Sequence, residues 1–362
     1  MARSVQPIRP RVAVILGDPA GVGPELAAKL LSNQKNLAKA DIHVLADNSE
    51  WESAIADAGN VHVPISDTAS PNGVKIHDDN SASQVSVVRA EVSQDGGARC
   101  IYQLKRALRM VEAGEIDAIV FAPLNKSSLK KAGMTEEDEL RWFANQLQYS
   151  GTTSEINIAG PLWTARVTSH IGIEEVAARV SKESTLKAIE LLQQLRWESG
   201  IEYPRLAVCA LNPHNGENGS FGRQEIDHIR PAVLAAREKG IDVEGPFPCD
   251  TIFLKRAHYD GIVTMYHDQG QIALKLLSFD GGVTVQGGLP IPIATPAHGT
   301  AFDIAGKNLA SVTSTQNAFD VAVTMAERRI AKQLAGKTAV EVISPKQRIL
   351  PQITTKEVPS CC

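Results

Sequence analysis

Three histidines in this sequence each follow a short apolar segment that is typical of a buried strand. They are His170 in the run Thr-Ser-His, His214 in Asn-Pro-His and His267 in Met-Tyr-His. The carboxyl ends of parallel strands meet at one edge of an α/β sheet, where ligand crevices lie. Three neutral imidazoles with one open coordination position suit a catalytic divalent metal such as zinc. Each histidine is equally compatible with a hydrogen-bonded position at a strand end, so the spacing alone leaves both interpretations open.

A glycine-rich turn is a second candidate site. The segment Gly17–Glu25, GDPAGVGPE, comes directly after a strand-like run and opens a helix. Glycine allows a tight turn and a close approach of the backbone to a ligand. The segment is not the G-x-G-x-x-G fingerprint of dinucleotide-binding proteins, and Pro24 suits the first position of a helix without any ligand. A structural role and a binding role both remain open for this turn.

The composition is that of an ordinary globular protein. The chain has 362 residues, 43% hydrophobic and 22% charged, which is longer than one core usually serves and favours two domains. A net charge of -4 without a lysine- or arginine-rich block argues against nucleic acid or a membrane surface as partner, and favours a small molecule. The sequence has neither an apolar stretch of membrane-spanning length nor a secretory leader, so we expect a cytoplasmic protein.

The five cysteines show no C-x-x-C spacing, which fits reduced thiols in a cytosolic protein. Two of them, Cys361 and Cys362, are adjacent at the end of a weakly periodic segment. We interpret residues 346–362 as a C-terminal extension on the surface. Adjacent thiols there could instead capture a metal or form intermolecular disulfides.

Apolar runs alternate with amphipathic helical patterns along most of the chain, which predicts an α/β fold with a largely parallel sheet. The predicted strands are Arg11–Leu16, Ile42–Ala46, Ala118–Phe121, Ile156–Ala159, Ala165–Val167, Leu206–Leu211 and Gly261–Met265. The predicted helices are Pro24–Leu31, Ala98–Ala113, Leu140–Leu147, Glu174–Leu195, Gln224–Lys239 and Ala318–Gln333.

Four motifs together resemble the 4-hydroxythreonine-4-phosphate dehydrogenase family. They are NPHNGENG at Asn212–Gly219, GPFPCDT at Gly245–Thr251, MYHDQG at Met265–Gly270 and HGTAFDIAG at His298–Gly306. The similarity runs in one order from Gly17 to about Ala335. It implies an isocitrate/isopropylmalate dehydrogenase-like fold with a cleft between two α/β domains, 1–135 with 296–345 and 136–295. It also implies a homodimer with its metal site by the subunit interface, and NAD-dependent oxidation of a secondary alcohol followed by decarboxylation.

The resemblance also implies roles for individual residues. The metal ligands fall on His170, His214 and His267, with zinc favoured and magnesium, manganese or cobalt as alternatives. The cofactor loop falls on His298, Gly299, Thr300, Asp303 and Gly306. The catalytic candidates are Asp250, Asp268 and Lys275. For the two aspartates the alternative is a structural turn residue, and for the lysine it is a solvated helix position.

The chain departs from the family where the family grips the phosphate of its substrate. A family histidine and threonine become Glu139 and Leu140, and a family asparagine and arginine become Thr284 and Ile293. Isoleucine cannot replace an arginine fork at a phosphate dianion. Other polar groups nearby in sequence could meet a different anion, so the predicted substrate-binding residues are Lys126, beside Asn125, and Glu139, Arg141 and Thr284.

Three functions therefore compete. The preferred one is a dehydrogenase of a non-phosphorylated hydroxy acid or a carboxylated cis-dihydrodiol, which keeps the metal and NAD sites. The second is the vitamin B6 pathway enzyme, 4-hydroxythreonine-4-phosphate dehydrogenase, with a rearranged phosphate site. The third is a catalytically silent ligand-binding relative. The presence of all three metal histidines argues against the third.

Overall fold

The computed structural model of the protein describes residues 8–277 and 280–335. Those residues form one eleven-stranded sheet with helices packed against it, so the predicted α/β class is confirmed. None of the described helices combines the length and hydropathy needed to cross a membrane. The predicted extension 346–362, with Cys361 and Cys362, lies outside the described residues.

The strands of the sheet are short and largely buried. They are β1 (Arg11–Ile15), β2 (Asp41–Leu45), β3 (Lys75–Ile76), β4 (Ala118–Phe121), β5 (Ser154–Ala159), β6 (Leu162–Arg166), β7 (Leu206–Cys209), β8 (Val243–Phe247), β9 (Gly261–Thr264), β10 (Val283–Gly287) and β11 (Ile293–Pro296). Their spatial order is β3-β2-β1-β4-β11-β10-β5-β6-β9-β7-β8.

The direction of the strands decides where the chain's polar turns meet. Strands β3, β2, β1, β4 and β11 are parallel to one another. Strand β10 is antiparallel to both β11 and β5, and β5 is antiparallel to β6. Strands β6, β9, β7 and β8 are again parallel. The carboxyl ends of β6, β9 and β7 therefore lie side by side at one edge of the sheet.

The helices described are α1 (Gly23–Ser32), α2 (Gln34–Lys39), α3 (Asn48–Asp57), α4 (Gln94–Glu112), α5 (Lys126–Lys131), α6 (Glu139–Gln146), α7 (Ile173–Arg179), α8 (Lys182–Glu198), α9 (Arg230–Glu238), α10 (Cys249–Ile252), α11 (His267–Leu277) and α12 (Thr313–Ala335). The prediction of one helix over Glu174–Leu195 is wrong. The Ser181 hydroxyl accepts a hydrogen bond from the backbone N–H of Ser184 at 3.1 Å, so it starts a new helix there.

Strands β3, β8, β10 and β11 were not predicted from the sequence. Two of them contain proline and two contain glycine, residues that weaken a strand pattern. The sheet runs without a break through both predicted domains, and β11 lies at their predicted boundary. The division into 1–135 with 296–345 and 136–295 stays a prediction.

A stacked histidine pair fastens β2 to the segment after β3. The Nδ1 of His43 lies 2.9 Å from the Nε2 of His77, and the ring centroids are 5.1 Å apart. Burial, with the charge of Lys75, lowers the pKa of His43 to about 4. Burial and the neighbouring His43 lower the pKa of His77 to about 4 as well. Both rings are therefore neutral in the folded protein at neutral pH.

This pair predicts a loss of stability in mild acid. An unfolded chain binds protons at these histidines below a pKa of about 6.5, whereas the folded chain does not until about pH 4. Stability should be complete above pH 6.5 and fall toward pH 4, by at most about 1.4 kcal/mol per pH unit for each histidine. Denaturant unfolding at several pH values measures this slope. The double variant His43→Gln/His77→Gln should flatten it, whereas His62→Gln, at an exposed position, should not. An unchanged slope in the double variant would rule out the pair as its source.

Candidate active site

Two of the three predicted metal histidines lie together at the edge of the sheet. His170 follows β6 and His267 follows β9, and these strands are neighbours in parallel register. The centroids of the two imidazole rings are 5.8 Å apart. Both side chains are partly accessible, at 31% and 38%. The parallel pairing of β6 and β9 thus presents two imidazoles to the same space.

Each of these histidines is held by a carboxylate on its Nδ1 side. The Nδ1 of His170 lies 2.9 Å from Oδ2 of Asp138, and the Nδ1 of His267 lies 2.7 Å from Oδ1 of Asp268. A carboxylate at Nδ1 favours the tautomer that carries the proton there and leaves Nε2 as the metal-binding atom. The donor set on this edge therefore fits a divalent metal held through two Nε2 atoms.

Asp138 links the start of α6 to His170. Its side chain caps the helix by accepting a hydrogen bond from the backbone N–H of Arg141 at 2.8 Å, and its Oδ2 lies 2.9 Å from the Arg141 guanidinium. Burial favours the protonated form of Asp138. The hydrogen bonds from His170 and from the Arg141 N–H, together with the Arg141 charge, outweigh burial and hold the pKa of Asp138 below its ordinary value. The carboxylate is therefore ionised and positions His170.

Glu137, Asp138 and His170 form a second group whose ligating atoms lie within 4.8 Å of one another. The Arg141 guanidinium lies 3.3 Å from Glu137 and 2.9 Å from Asp138. A cation already neutralises these carboxylates, so a metal between them would meet the repulsion of the guanidinium. We therefore favour a metal position on the side of His170 that faces His267.

The third predicted ligand, His214, stands apart from this pair. Within the described residues, the three histidines do not bring their ligating nitrogens within 4.8 Å of one another. His214 is exposed and begins a run of five residues with positive φ, from 41° to 77°. The loop is fastened by Glu225, which is fully buried and accepts the backbone N–H groups of Leu211 and Asn212 at 2.9 and 2.8 Å. Left-handed backbone at non-glycine residues is strained and is held here by that buried carboxylate.

A cavity of about 540 Å³ lies beside the sheet between β5, β10, α11 and the loop after β11. The predicted cofactor residues His298 and Gly299 line it, as do Lys275 and Gln271. Thr300 is buried and packs on the glycine-rich turn, because its carbonyl accepts the N–H of Val22 at 3.0 Å. A Cβ on Gly21 would lie 2.7 Å from that carbonyl, so this glycine permits the approach. The turn and the cofactor loop therefore build one wall together.

The remaining predicted residues differ in where they lie. Asp303 is exposed. Gly306 packs against Arg89, so that a Cβ on this glycine would lie 1.8 Å from the guanidinium. Neither Asp303 nor Gly306 lines the cavity. Asp250 is exposed on α10. Lys126 is exposed at the first position of α5, and its charge acts on Glu139. These assignments stay predictions.

Two of the positions at which this chain departs from the family's phosphate-binding residues lie in apolar surroundings. Leu140 and Ile293 are 5% and 0% exposed, and both belong to one buried apolar cluster with Phe143. Burial raises the pKa of Glu139, which therefore gains a proton more readily than a free glutamate. Thr284 accepts a hydrogen bond from the side chain of Asn157 at 3.1 Å.

Comparison with known proteins decides the family. Residues 33–322 match the family model described as pyridoxal phosphate biosynthetic protein PdxA. This chain belongs to the PdxA family. A putative 4-hydroxythreonine-4-phosphate dehydrogenase 2 from Pseudomonas aeruginosa is 49% identical over 336 residues, which cover 89% of this chain and 99% of the relative. A putative D-threonate 4-phosphate dehydrogenase from Bradyrhizobium diazoefficiens is 36% identical over 335 residues, 87% and 96% of the two chains. The predicted family is confirmed, and the protein is a dehydrogenase of that family.

Solved structures agree with this assignment. The 4-hydroxythreonine-4-phosphate dehydrogenase of Klebsiella pneumoniae superposes with a TM-score of 0.75 at 32% identity, covering 89% of this chain and 99% of that one. A terephthalate 1,2-cis-dihydrodiol dehydrogenase from Burkholderia xenovorans superposes with a TM-score of 0.65 at 27% identity, covering 88% and 98%. Proteins named for different substrates thus share this fold.

Sequence reasoning missed several residues of the site. Asp138 was not predicted to hold His170, although an aspartate just before a helical pattern signals an N-cap. Glu155 and Asn157 alternate with apolar residues in β5, and Arg166 ends β6. A charged residue in a buried strand was the signal available for Arg166.

Replacing Asp138 tests its role in holding His170. Asp138→Asn keeps a good helix cap but removes the charge at Nδ1, so thermal stability should change little and metal affinity should fall about 10- to 100-fold. Competition with a chromogenic chelator measures that affinity. Asp138→Ala should lose the same affinity and about 1 kcal/mol of stability through the cap as well. Unchanged affinity in Asp138→Asn would remove the positioning role.

Proposed function

We propose that this protein is an NAD- and divalent-metal-dependent dehydrogenase that oxidises the secondary alcohol of a non-phosphorylated hydroxy acid or a carboxylated cis-dihydrodiol, with decarboxylation following. The observation that carries the substrate assignment is the apolar packing of Leu140 and Ile293. These are the positions at which the family resemblance implies a threonine and an arginine. An apolar cluster cannot stabilise a phosphate dianion, because a buried anion without donors is expensive.

The environment of Glu139 supports the same proposal. Burial, opposed by the charge of Lys126 and reinforced by Glu155 and Asp138, raises the pKa of Glu139. The carboxylates of Glu155 and Asp138 near Glu139 disfavour a further dianion at this position. The second candidate, a phosphate ester substrate, is supported by the names of the relatives from Pseudomonas aeruginosa and Bradyrhizobium diazoefficiens.

The metal would be held by His170 and His267 of one protomer and by His214 of a second copy. Two observations support this division: the first two rings are 5.8 Å apart, and the exposed His214 stands away from them on its own loop. Three imidazoles favour zinc over magnesium, manganese or cobalt. The homodimer would therefore complete the site, which a single copy leaves incomplete.

In the proposed oxidation, different residues hold the metal, the cofactor and the substrate. When bound, the metal supplies Lewis acidity toward the substrate hydroxyl and NAD supplies the hydride acceptor. Asp138 and Asp268 hold the two imidazoles in one tautomer. The loop at His298 and Gly299 places the cofactor along the cavity, and Lys275 in the same wall contacts the substrate. Asp250 stays a candidate for proton transfer.

The substrate assignment predicts a preference that initial rates can measure. The kcat/KM for NADH formation should be at least about tenfold higher with a non-phosphorylated hydroxy acid or a carboxylated cis-dihydrodiol than with 4-hydroxythreonine 4-phosphate or D-threonate 4-phosphate. The reason is that each hydrogen bond missing from a charged group of the substrate costs about 1.5–3 kcal/mol. Chelator should abolish the rate, and inorganic phosphate should not compete. Chelator-sensitive turnover of a phosphate ester alone would refute the assignment.

A mixing experiment tests the shared metal site. The inactive variants His170→Ala and His214→Ala, mixed and allowed to exchange subunits, should regain up to about a quarter of the original activity, since half of the dimers are then mixed and each holds one intact site. A mixture of His170→Ala with His267→Ala is the matched control and should stay inactive, because both losses fall on the same side of the site. Recovery in neither mixture would place all three ligands in one chain.

A further inference from the structure

One face of the sheet carries a polar patch, which we call the cleft floor: Glu155 and Asn157 of β5, Arg166 of β6, and Thr284 and Gln286 of β10. Thr284 lies opposite Asn157, and Gln286 lies opposite Glu155, in the antiparallel ladder. Residues opposite one another in such a ladder share a face of the sheet, and so do residues two apart in a strand. The five side chains therefore lie on one surface.

The arginine of the cleft floor is almost fully buried, at 6% exposed. Its guanidinium is ion-paired with Glu155. It also donates to Oδ1 of Asn157 at 2.9 Å and, through Nε, to Oγ of Ser169 at 3.0 Å. An arginine has five N–H groups, and three are used here. The other two N–H groups make no hydrogen bond to the residues that the structure describes.

The buried ion pair of Arg166 and Glu155 is not explained by a gain in folding stability. A buried ion pair is often no more stable than apolar residues of similar size, because both charges must be desolvated. Burial also lowers the pKa of Arg166, opposed by the charge of Glu155. In addition, the side-chain oxygen of Gln286 is buried and accepts no hydrogen bond within the described part of the chain. The cleft floor therefore holds both unused donors and an unused acceptor.

The cleft floor connects the two functional regions of the molecule. Toward the cavity, Oδ1 of Asn157 accepts a hydrogen bond from Gln271 at 2.7 Å, and both residues line the cavity together with Lys275. Toward the metal-binding edge, Arg166 reaches Ser169, the residue before His170. The Asp138 carboxylate is close enough to act on the charge of Arg166. The guanidinium thus lies between the cofactor cavity and the metal histidines.

We propose that Arg166 recognises the carboxylate of the substrate. This inference rests on the proposed function and adds the residue that selects the substrate's anion. The pair with Glu155 fixes the guanidinium in one orientation before binding, which suits planar, two-point recognition of a carboxylate.

The charge balance of the cleft floor favours a monoanion. Glu155 already offsets the charge of Arg166, and the cavity wall holds one lysine and one aspartate, Lys275 and Asp280. A carboxylate adds a single negative charge to this region, whereas a phosphate dianion adds two. A phosphate dianion would leave an excess negative charge beside Glu155 and Asp138, which a poorly solvated site does not tolerate.

Calorimetric binding to the metal-loaded dimer tests the proposal without turnover. The probes are D-threonate, D-threonate 4-phosphate and a carboxylated cis-dihydrodiol. The double variant Glu155→Gln/Arg166→Gln removes both charges and leaves neither unpaired, and should weaken binding of the carboxylates about 10- to 100-fold. Glu155→Gln alone leaves Arg166 without its counter-charge and should tighten binding. The matched control Glu198→Gln/Arg329→Gln removes an ion pair of 2.9 Å away from the cavity and should leave binding unchanged.

The outcomes separate this inference from the proposed function. Equal weakening of D-threonate and its 4-phosphate in the double variant supports a carboxylate site at Arg166, even if the phosphate ester proves to be the substrate. Weakening confined to the phosphate ester would overturn the inference, because Arg166 would then hold the phosphate. Unchanged binding in the double variant, or no binding of any carboxylate to the unmodified protein, would overturn it as well.

Discussion

The parallel pairing of β6 with β9 is the interaction on which the site depends. It places the carboxyl ends of the two strands side by side, so that His170 and His267 face one space at a centroid distance of 5.8 Å. Strand β9 also pairs with β7, and Gln269 fastens the ends of these strands by accepting from the N–H of Met265 and donating to the carbonyl of Ala210. Disturbing this register would move both imidazoles and the helix that begins at His267.

Charge burial shapes the site around that edge. Asp138 is ionised because donors surround it, and in turn it orients His170. Arg141 is ion-paired with Glu137 and Asp138 on the other side. Arg166 is held by Glu155 in the same region. Each of these charges is paired in a poorly solvated place, so removing one residue leaves its partner with an uncompensated charge. Replacing both members of an ion pair is therefore the way to isolate the role of that pair.

The positions at which the resemblance implies a phosphate grip are apolar at Leu140 and Ile293. Leu140 and Ile293 belong to a buried apolar cluster, whereas the polar groups are concentrated on β5, β6 and β10. A change at one residue would not achieve this, since an apolar position and a buried cation each need matching neighbours. The fold around these residues is the one that the Klebsiella pneumoniae and Burkholderia xenovorans enzymes share.

The sequence by itself determined the α/β class, the position of seven strands and the family, because apolar periodicity and the motifs around His214, His267 and His298 are local properties. It did not predict strand β10 or β11, since their proline and glycine hide the pattern, nor the break at Ser181. Only the tertiary structure decided that His170 and His267 lie together without His214, and that Glu155, Asn157 and Arg166 share one surface with Thr284. Those relations depend on strand order and register, which bring residues more than a hundred positions apart into contact.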